Sequence, residues 1–106
     1  MERHLVVCPL AELAPGEMRR VDPPENAPIL VCNLNGELWA VDDTCTHSRA
    51  SLSEGELEGD EVFCPVHWGK FHVPTGRAMG FPAEQDLRTW PVGVQDEMIV
   101  VELGEG

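Results

Sequence analysis

Short apolar runs rich in β-branched residues alternate with turn-forming residues along the whole chain. The runs fall at Leu5 to Val7, Met18 to Val21, Ile29 to Leu34, Leu38 to Val41, Val62 and Phe63, Leu87 to Val94, and Met98 to Leu103. Each is short and rich in β-branched residues, with Gly, Pro, Asn or Asp close by, so the pattern predicts strands. Ten Gly and nine Pro in 106 residues interrupt the chain every few positions and leave room for only one helical turn, Pro9 to Leu13, with Pro in its first turn. Asn35-Gly36 between two runs predicts a two-residue hairpin, and Gln95-Asp96-Glu97 predicts a second turn near the C-terminus. The architecture expected is antiparallel all-β, a small sandwich or barrel. Three segments break the strand rhythm and are expected to be loops: Asp42 to Leu57, Cys64 to Trp68 with an exit through Gly69 into a strand at Lys70 to Val73, and Met79 to Ala83, stiffened by Pro82.

Length and charge narrow the function. At 106 residues the chain is expected to form one domain, 1–106, with no room for a separate catalytic domain. The formal charge of −12 comes from 19 acidic against 7 basic residues spread along the chain. Such a surface repels nucleic-acid phosphates and anionic lipid and favours a protein partner with a basic docking patch. The N-terminal segment is broken by charge and by Pro9 before an apolar stretch long enough for a signal-peptide core, and no run approaches the roughly 20 apolar residues of a membrane span. A cytoplasmic protein is expected. In that reducing compartment four cysteines point to metal or redox chemistry before structural disulfides.

The chemistry concentrates in two loops that read Cys45-x-His47, sixteen intervening residues, then Cys64-x-x-His67. Each loop offers one thiolate and one imidazole. Two Cys and two His also suit tetrahedral zinc, but zinc knuckles usually pair like with like, as Cys-x-x-Cys followed by His-x-x-x-His. The mixed arrangement suits a [2Fe–2S] cluster of the Rieske kind, in which two histidines replace two cysteines on one iron. Cys45 and Cys64 would hold one iron, His47 and His67 the other. Two ferric ions, two sulfides and two thiolates sum to zero with neutral imidazoles, so the oxidised centre tolerates a low-dielectric shell and reduction adds one negative charge.

Cys45-Thr-His-Ser-Arg-Ala-Ser-Leu-Ser-Glu-Gly-Glu-Leu57, Val62-Phe-Cys-Pro-Val-His-Trp-Gly-Lys-Phe71, Thr75-Gly76 and Phe81-Pro82-Ala83 together resemble the Rieske signature in order. The match is most similar to the ferredoxin components of bacterial aromatic-ring-hydroxylating dioxygenases, the biphenyl and carbazole systems among them. That resemblance implies an antiparallel Rieske-type β-sandwich, with a cluster-binding subdomain at about 43–83 inserted in a basal β domain. It also implies one [2Fe–2S] cluster, a flavoprotein ferredoxin reductase that loads the electron, and a Rieske non-haem iron terminal oxygenase that receives it, with the chain itself a monomeric carrier and not an enzyme. Phe81-Pro82 is expected to lie over the cluster as in relatives.

Departures from the signature sharpen the expectation. Rieske proteins of respiratory cytochrome bc complexes bridge the two ligand loops with a disulfide, and this chain has Ala50 and Val66 at those places. Those proteins also place hydroxyl donors where this chain has Gly69 and Phe71. Fewer donors toward sulfur leave the reduced state less stabilised, which predicts a potential at the low end of the Rieske range. Pro65 is expected to stiffen its loop, and Trp68 either shields the cluster, presents an aromatic surface to a partner, or caps the core. Cys8 and Cys32 lie in apolar runs and are expected to be buried and inert. His4 and His72 are expected to be surface or satisfied residues. Asp42 and Asp43, adjacent on an extended chain, point in opposite directions and are expected to be solvated. No Ser-His-Asp arrangement, phosphate-binding loop or nicotinamide fingerprint is recognised. The alternatives are a small Rieske subunit of an assimilatory nitrite reductase, and a zinc-stabilised binding module.

Overall fold

The computed structural model describes all residues except 1, 25, 47, 67, 81–84 and 106, with residues 2, 80 and 105 described by backbone alone. The strands are β1 (Glu2–Pro9), β2 (Met18–Val21), β3 (Ile29–Leu34), β4 (Glu37–Asp42), β5 (Glu56–Glu58), β6 (Glu61–Phe63), β7 (Lys70–His72), β8 (Ala78–Gly80), β9 (Thr89–Trp90), β10 (Val92–Gln95) and β11 (Met98–Glu105). They form three antiparallel sheets, ordered β1-β11-β10, β2-β3-β4-β9 and β5-β6-β7-β8. Leu10–Glu12 and Leu52–Glu54 are single 3-10 turns.

Side-chain alternation along β3 and β4 explains how the sheets stack. Leu30 and Cys32 face one way with Val41, and pack with Val62 and Phe71 of the third sheet. Ile29 and Val31 face the other way with Ala40, and pack with Ile99 and Val101 of β11. The central sheet is thus covered on both faces, which accounts for the unbroken apolar run Ile29–Val31 where a one-sided strand would alternate with polar residues. At the end of that run Asn33 is buried and satisfied: its amide donates to the Leu13 carbonyl at 2.9 Å, and its Oδ1 accepts the Gly36 N–H at 2.8 Å. The β3–β4 hairpin closes through Asn35 and Gly36 at φ of 57° and 100°, the left-handed pair that a two-residue turn of this hand requires.

Several boundaries differ from the sequence expectation. The expected loop over Asp42 to Leu57 ends one strand earlier, because Glu56–Glu58 pairs with Glu61–Phe63 across a two-residue turn. Ala78–Gly80 is a strand, paired with β7, where Met79 was expected to begin a loop; the rest of that segment lies outside the described residues. Leu87 to Val94 is not one strand: β9 pairs with β4, β10 pairs with β11, and Pro91, which has no N–H to donate, separates them. The second hairpin turns on Asp96 and Glu97 alone, with Gln95 paired to Met98.

Candidate metal centre

The third sheet and the loop before it carry the candidate ligands. After β4 the chain folds back on itself: Thr44 bridges Ser51, the Cys45 N–H donates to the Ala50 carbonyl at 2.9 Å, and the Arg49 N–H donates to the Cys45 carbonyl at 3.0 Å. Arg49 takes a φ of 63° to make this bend. The second loop leaves β6 and closes when the Cys64 N–H donates to the Gly69 carbonyl at 2.7 Å, with Trp68 at a φ of 56°. The two loops are therefore built alike, each tightened by backbone hydrogen bonds around a cysteine.

Cys45 and Cys64 are both buried, and their thiols meet. None of the four cysteines is in a disulfide. The Ser48 hydroxyl lies 3.4 Å from Cys64 Sγ, and the Val66 N–H donates to the same sulfur at 3.4 Å. Burial pushes the Cys64 thiol above its ordinary value, Ser48 and Val66 act in the opposite sense, and the adjacent Cys45 adds to the rise. Two buried sulfurs side by side, with donors aimed at one of them, suit two thiolates on one metal ion, whose charge offsets the cost of ionising them in a core. The donor set thus fits an iron of a Rieske cluster. His47 and His67 lie outside the described residues, as do Phe81, Pro82 and Ala83. Among the described residues no group of three or more His, Cys, Asp or Glu side chains gathers at metal-holding distance.

Residues flanking the loops divide by exposure. Trp68 is 57% exposed and Val66 37%, so the tryptophan presents its ring at the surface and does not cap the core. Phe71 and Gly69 are buried. Cys8 and Cys32 are buried as expected, and burial followed by the charge of Asp43 pushes the Cys32 thiol up to about 12. His72 is satisfied on both ring nitrogens, by Thr75 Oγ1 at 2.8 Å and Asp60 Oδ2 at 3.0 Å. This row resembles a Ser-His-Asp arrangement that the sequence did not reveal, but Thr75 also accepts the Arg77 N–H at 3.3 Å, and the row staples the β7–β8 turn.

The expectation for the Asp42-Asp43 pair is corrected. Asp42 accepts the Trp90 indole N–H at 2.8 Å, and Asp43 is 1% exposed. Asp43 accepts the Ser51 hydroxyl and, at 2.9 Å, the Ser53 N–H, while its backbone carbonyl accepts the Leu52 N–H at 2.7 Å. Two serines spaced eight and ten residues beyond an aspartate were the available signal, though nothing local fixes their approach.

The model of the Rieske [2Fe–2S] domain matches residues 3–91. The chain belongs to this family, and it carries one Rieske-type [2Fe–2S] cluster. It is 48% identical over 101 residues to the ferredoxin component of biphenyl 2,3-dioxygenase from Rhodococcus jostii (strain RHA1), covering 94% of this chain and 92% of that protein. It is 43% identical to the ferredoxin component of the p-cumate 2,3-dioxygenase system from Pseudomonas putida, covering 92% and 84%. Among solved structures it is similar to a chain in the complex of reduced oxygenase and oxidized ferredoxin in carbazole 1,9a-dioxygenase, with a TM-score of 0.89, 40% identity, and coverage of 92% and 91%. Its relatives are electron-transfer components and not the catalytic partners of those systems. Among the described residues no helix is long and apolar enough to cross a membrane.

Proposed function

We propose that this chain carries single electrons from a flavoprotein NAD(P)H-dependent ferredoxin reductase to the Rieske non-haem iron oxygenase of an aromatic-ring-hydroxylating dioxygenase system. The meeting of the buried Cys45 and Cys64 thiols between two matched loops carries this reading, together with the ferredoxin relatives. Cys45 and Cys64 are assigned to one iron, His47 and His67 to the other. The bound cluster supplies a one-electron couple and no acid–base or oxygen chemistry. The protein's part is to bury the thiolates, to place hydrogen-bond donors at Cys64, and to offer a docking surface beside the second loop, where Val66 and Trp68 are exposed. The chain acts as a cytoplasmic monomer with a low potential for its class, and residues 43–83 serve as the cluster-binding subdomain of one 1–106 domain.

The test is reconstitution. The purified holoprotein is mixed anaerobically with half an equivalent of NADH, two electrons for two carriers, and a biphenyl-type ferredoxin reductase, then with an excess of the matching oxygenase, while its visible absorption is followed. The expected result is bleaching by the reductase and recovery on adding the oxygenase. Bleaching by dithionite but not by the reductase, or no recovery with the oxygenase, would overturn the assignment.

A further inference from the structure

The carboxylate of Asp43 stands behind the loop that carries Cys45, two residues away in sequence and fully enclosed. Among the described residues every group that reaches it is a donor: the Ser51 hydroxyl, the Ser53 N–H at 2.9 Å, and the Arg20 guanidinium at 3.6 Å. The carboxylate thus serves these partners as an acceptor alone. Arg20 does not neutralise it fully. That guanidinium is half exposed and more closely engaged by Asp22, at 3.0 and 3.1 Å. The negative charge is therefore fixed beside the core that holds the cysteines: Leu52, whose N–H donates to the Asp43 carbonyl at 2.7 Å, packs in one cluster with Cys32, Cys45 and Cys64.

We propose that Asp43 is a positioning residue that acts electrostatically as well as structurally. It pins the Cys45 loop through Ser51 and Ser53, and its fixed charge holds the reduction potential of the metal centre down, with Arg20 as a partial counterweight. This rests on the ligand reading above. One electron taken up adds one negative charge, with no bond made or broken, so a buried anion nearby opposes reduction and a cation favours it. A unit charge at about 10 Å through an effective dielectric constant of about 20 changes a one-electron equilibrium constant by more than tenfold. Compensation by Arg20 reduces this to between about threefold and tenfold, and a half-exposed Arg20 itself weighs about twofold to threefold.

The test is an EPR-monitored redox titration of the wild-type, Asp43→Asn and Arg20→Gln holoproteins. Asparagine keeps an acceptor for Ser53 and removes the charge. Asp43→Asn is expected to favour reduction by about threefold to tenfold, where tenfold is 59 mV for one electron. Arg20→Gln is expected to disfavour reduction by about twofold to threefold. Opposite signs separate charge from mere loosening of the loop, because both substitutions remove a contact to Asp43. Shifts of the same sign, or unchanged potentials with the native spectrum retained, would overturn the proposal. Should Asp43→Asn fail to assemble a cluster, Arg20→Gln decides alone: a lower potential supports the proposal and an equal or higher one overturns it. A wild-type protein without a Rieske spectrum would instead defeat the ligand reading on which the proposal stands.

Discussion

Ser48→Ala removes the hydroxyl that lies 3.4 Å from Cys64 Sγ and leaves the Val66 N–H as the remaining donor to that sulfur. Ser48 Oγ also accepts the Ala50 N–H at 3.3 Å, a long bond whose loss is small beside the loop's other closures. A hydrogen bond to a charged acceptor is worth about 1.5–3 kcal/mol. Only the part that differs between oxidised and reduced states moves the potential. Taking about one third as that part gives roughly 0.5–1 kcal/mol, which at 59 mV per factor of ten is a fall of about 20–45 mV. The direction follows from charge: sulfur bears more negative charge after reduction, so losing a donor penalises the reduced form. Protein-film voltammetry on wild type and variant measures the shift, with the visible spectrum as a check that the cluster is intact. An unchanged or raised potential with an intact spectrum would refute the view that Ser48 donates to a thiolate ligand.

Packing and charge carry further consequences. Gly55→Ala places a Cβ 1.8 Å from the Phe63 carbonyl oxygen, a backbone atom that cannot swing aside, so the β5–β6 pairing must open; a loss of about 3 kcal/mol is expected by denaturant unfolding. Gly76→Ala combines a φ of +76° with a Cβ 2.3 Å from the Leu87 carbonyl oxygen, and is expected to lower the melting temperature likewise. The Cys32 thiol, raised from 9.0 to about 12, makes stability fall as pH rises. The contribution is full below about pH 9 and is lost as pH climbs toward 12, by about 1.4 kcal/mol per unit between the two, because the unfolded state then binds fewer protons than the folded one. Cys32→Ala should flatten that slope in pH-dependent unfolding. With a net charge of −12, electron delivery to a basic partner should slow by about tenfold between about 10 mM and about 0.5 M salt in stopped-flow mixing, and a flat salt dependence would rule out electrostatic steering.

The central strand Ile29–Leu34, buried almost throughout, was legible because its run is nearly all apolar, and Met18–Val21, apolar only at its two ends, also has the expected bounds. The hairpin at Asn35-Gly36 was legible because its left-handed pair of dihedrals suits few other sequences. Glu56–Glu58 and Ala78–Gly80 were not, since one has a single apolar residue between two acids and the other is a short edge strand; partners distant in sequence, not their own composition, make them strands. Likewise the convergence of Cys45 and Cys64 follows from ligand spacing, whereas the burial of Asp43 does not. Its Ser51, Ser53 and Arg20 partners come from a turn and from β2, and the fold alone brings them to one carboxylate.

The central claim is that two cysteines and two histidines hold one cluster through Cys45, His47, Cys64 and His67. Pulsed EPR of the dithionite-reduced protein, grown with 15N-histidine, tests it most directly. The expected result is hyperfine coupling to two imidazole nitrogens in wild type, and loss of the native Rieske spectrum in His47→Cys and in His67→Cys, while His4→Gln and His72→Gln keep both couplings. A reduced wild type without coupled 15N, or a native spectrum that survives either ligand substitution, would contradict it.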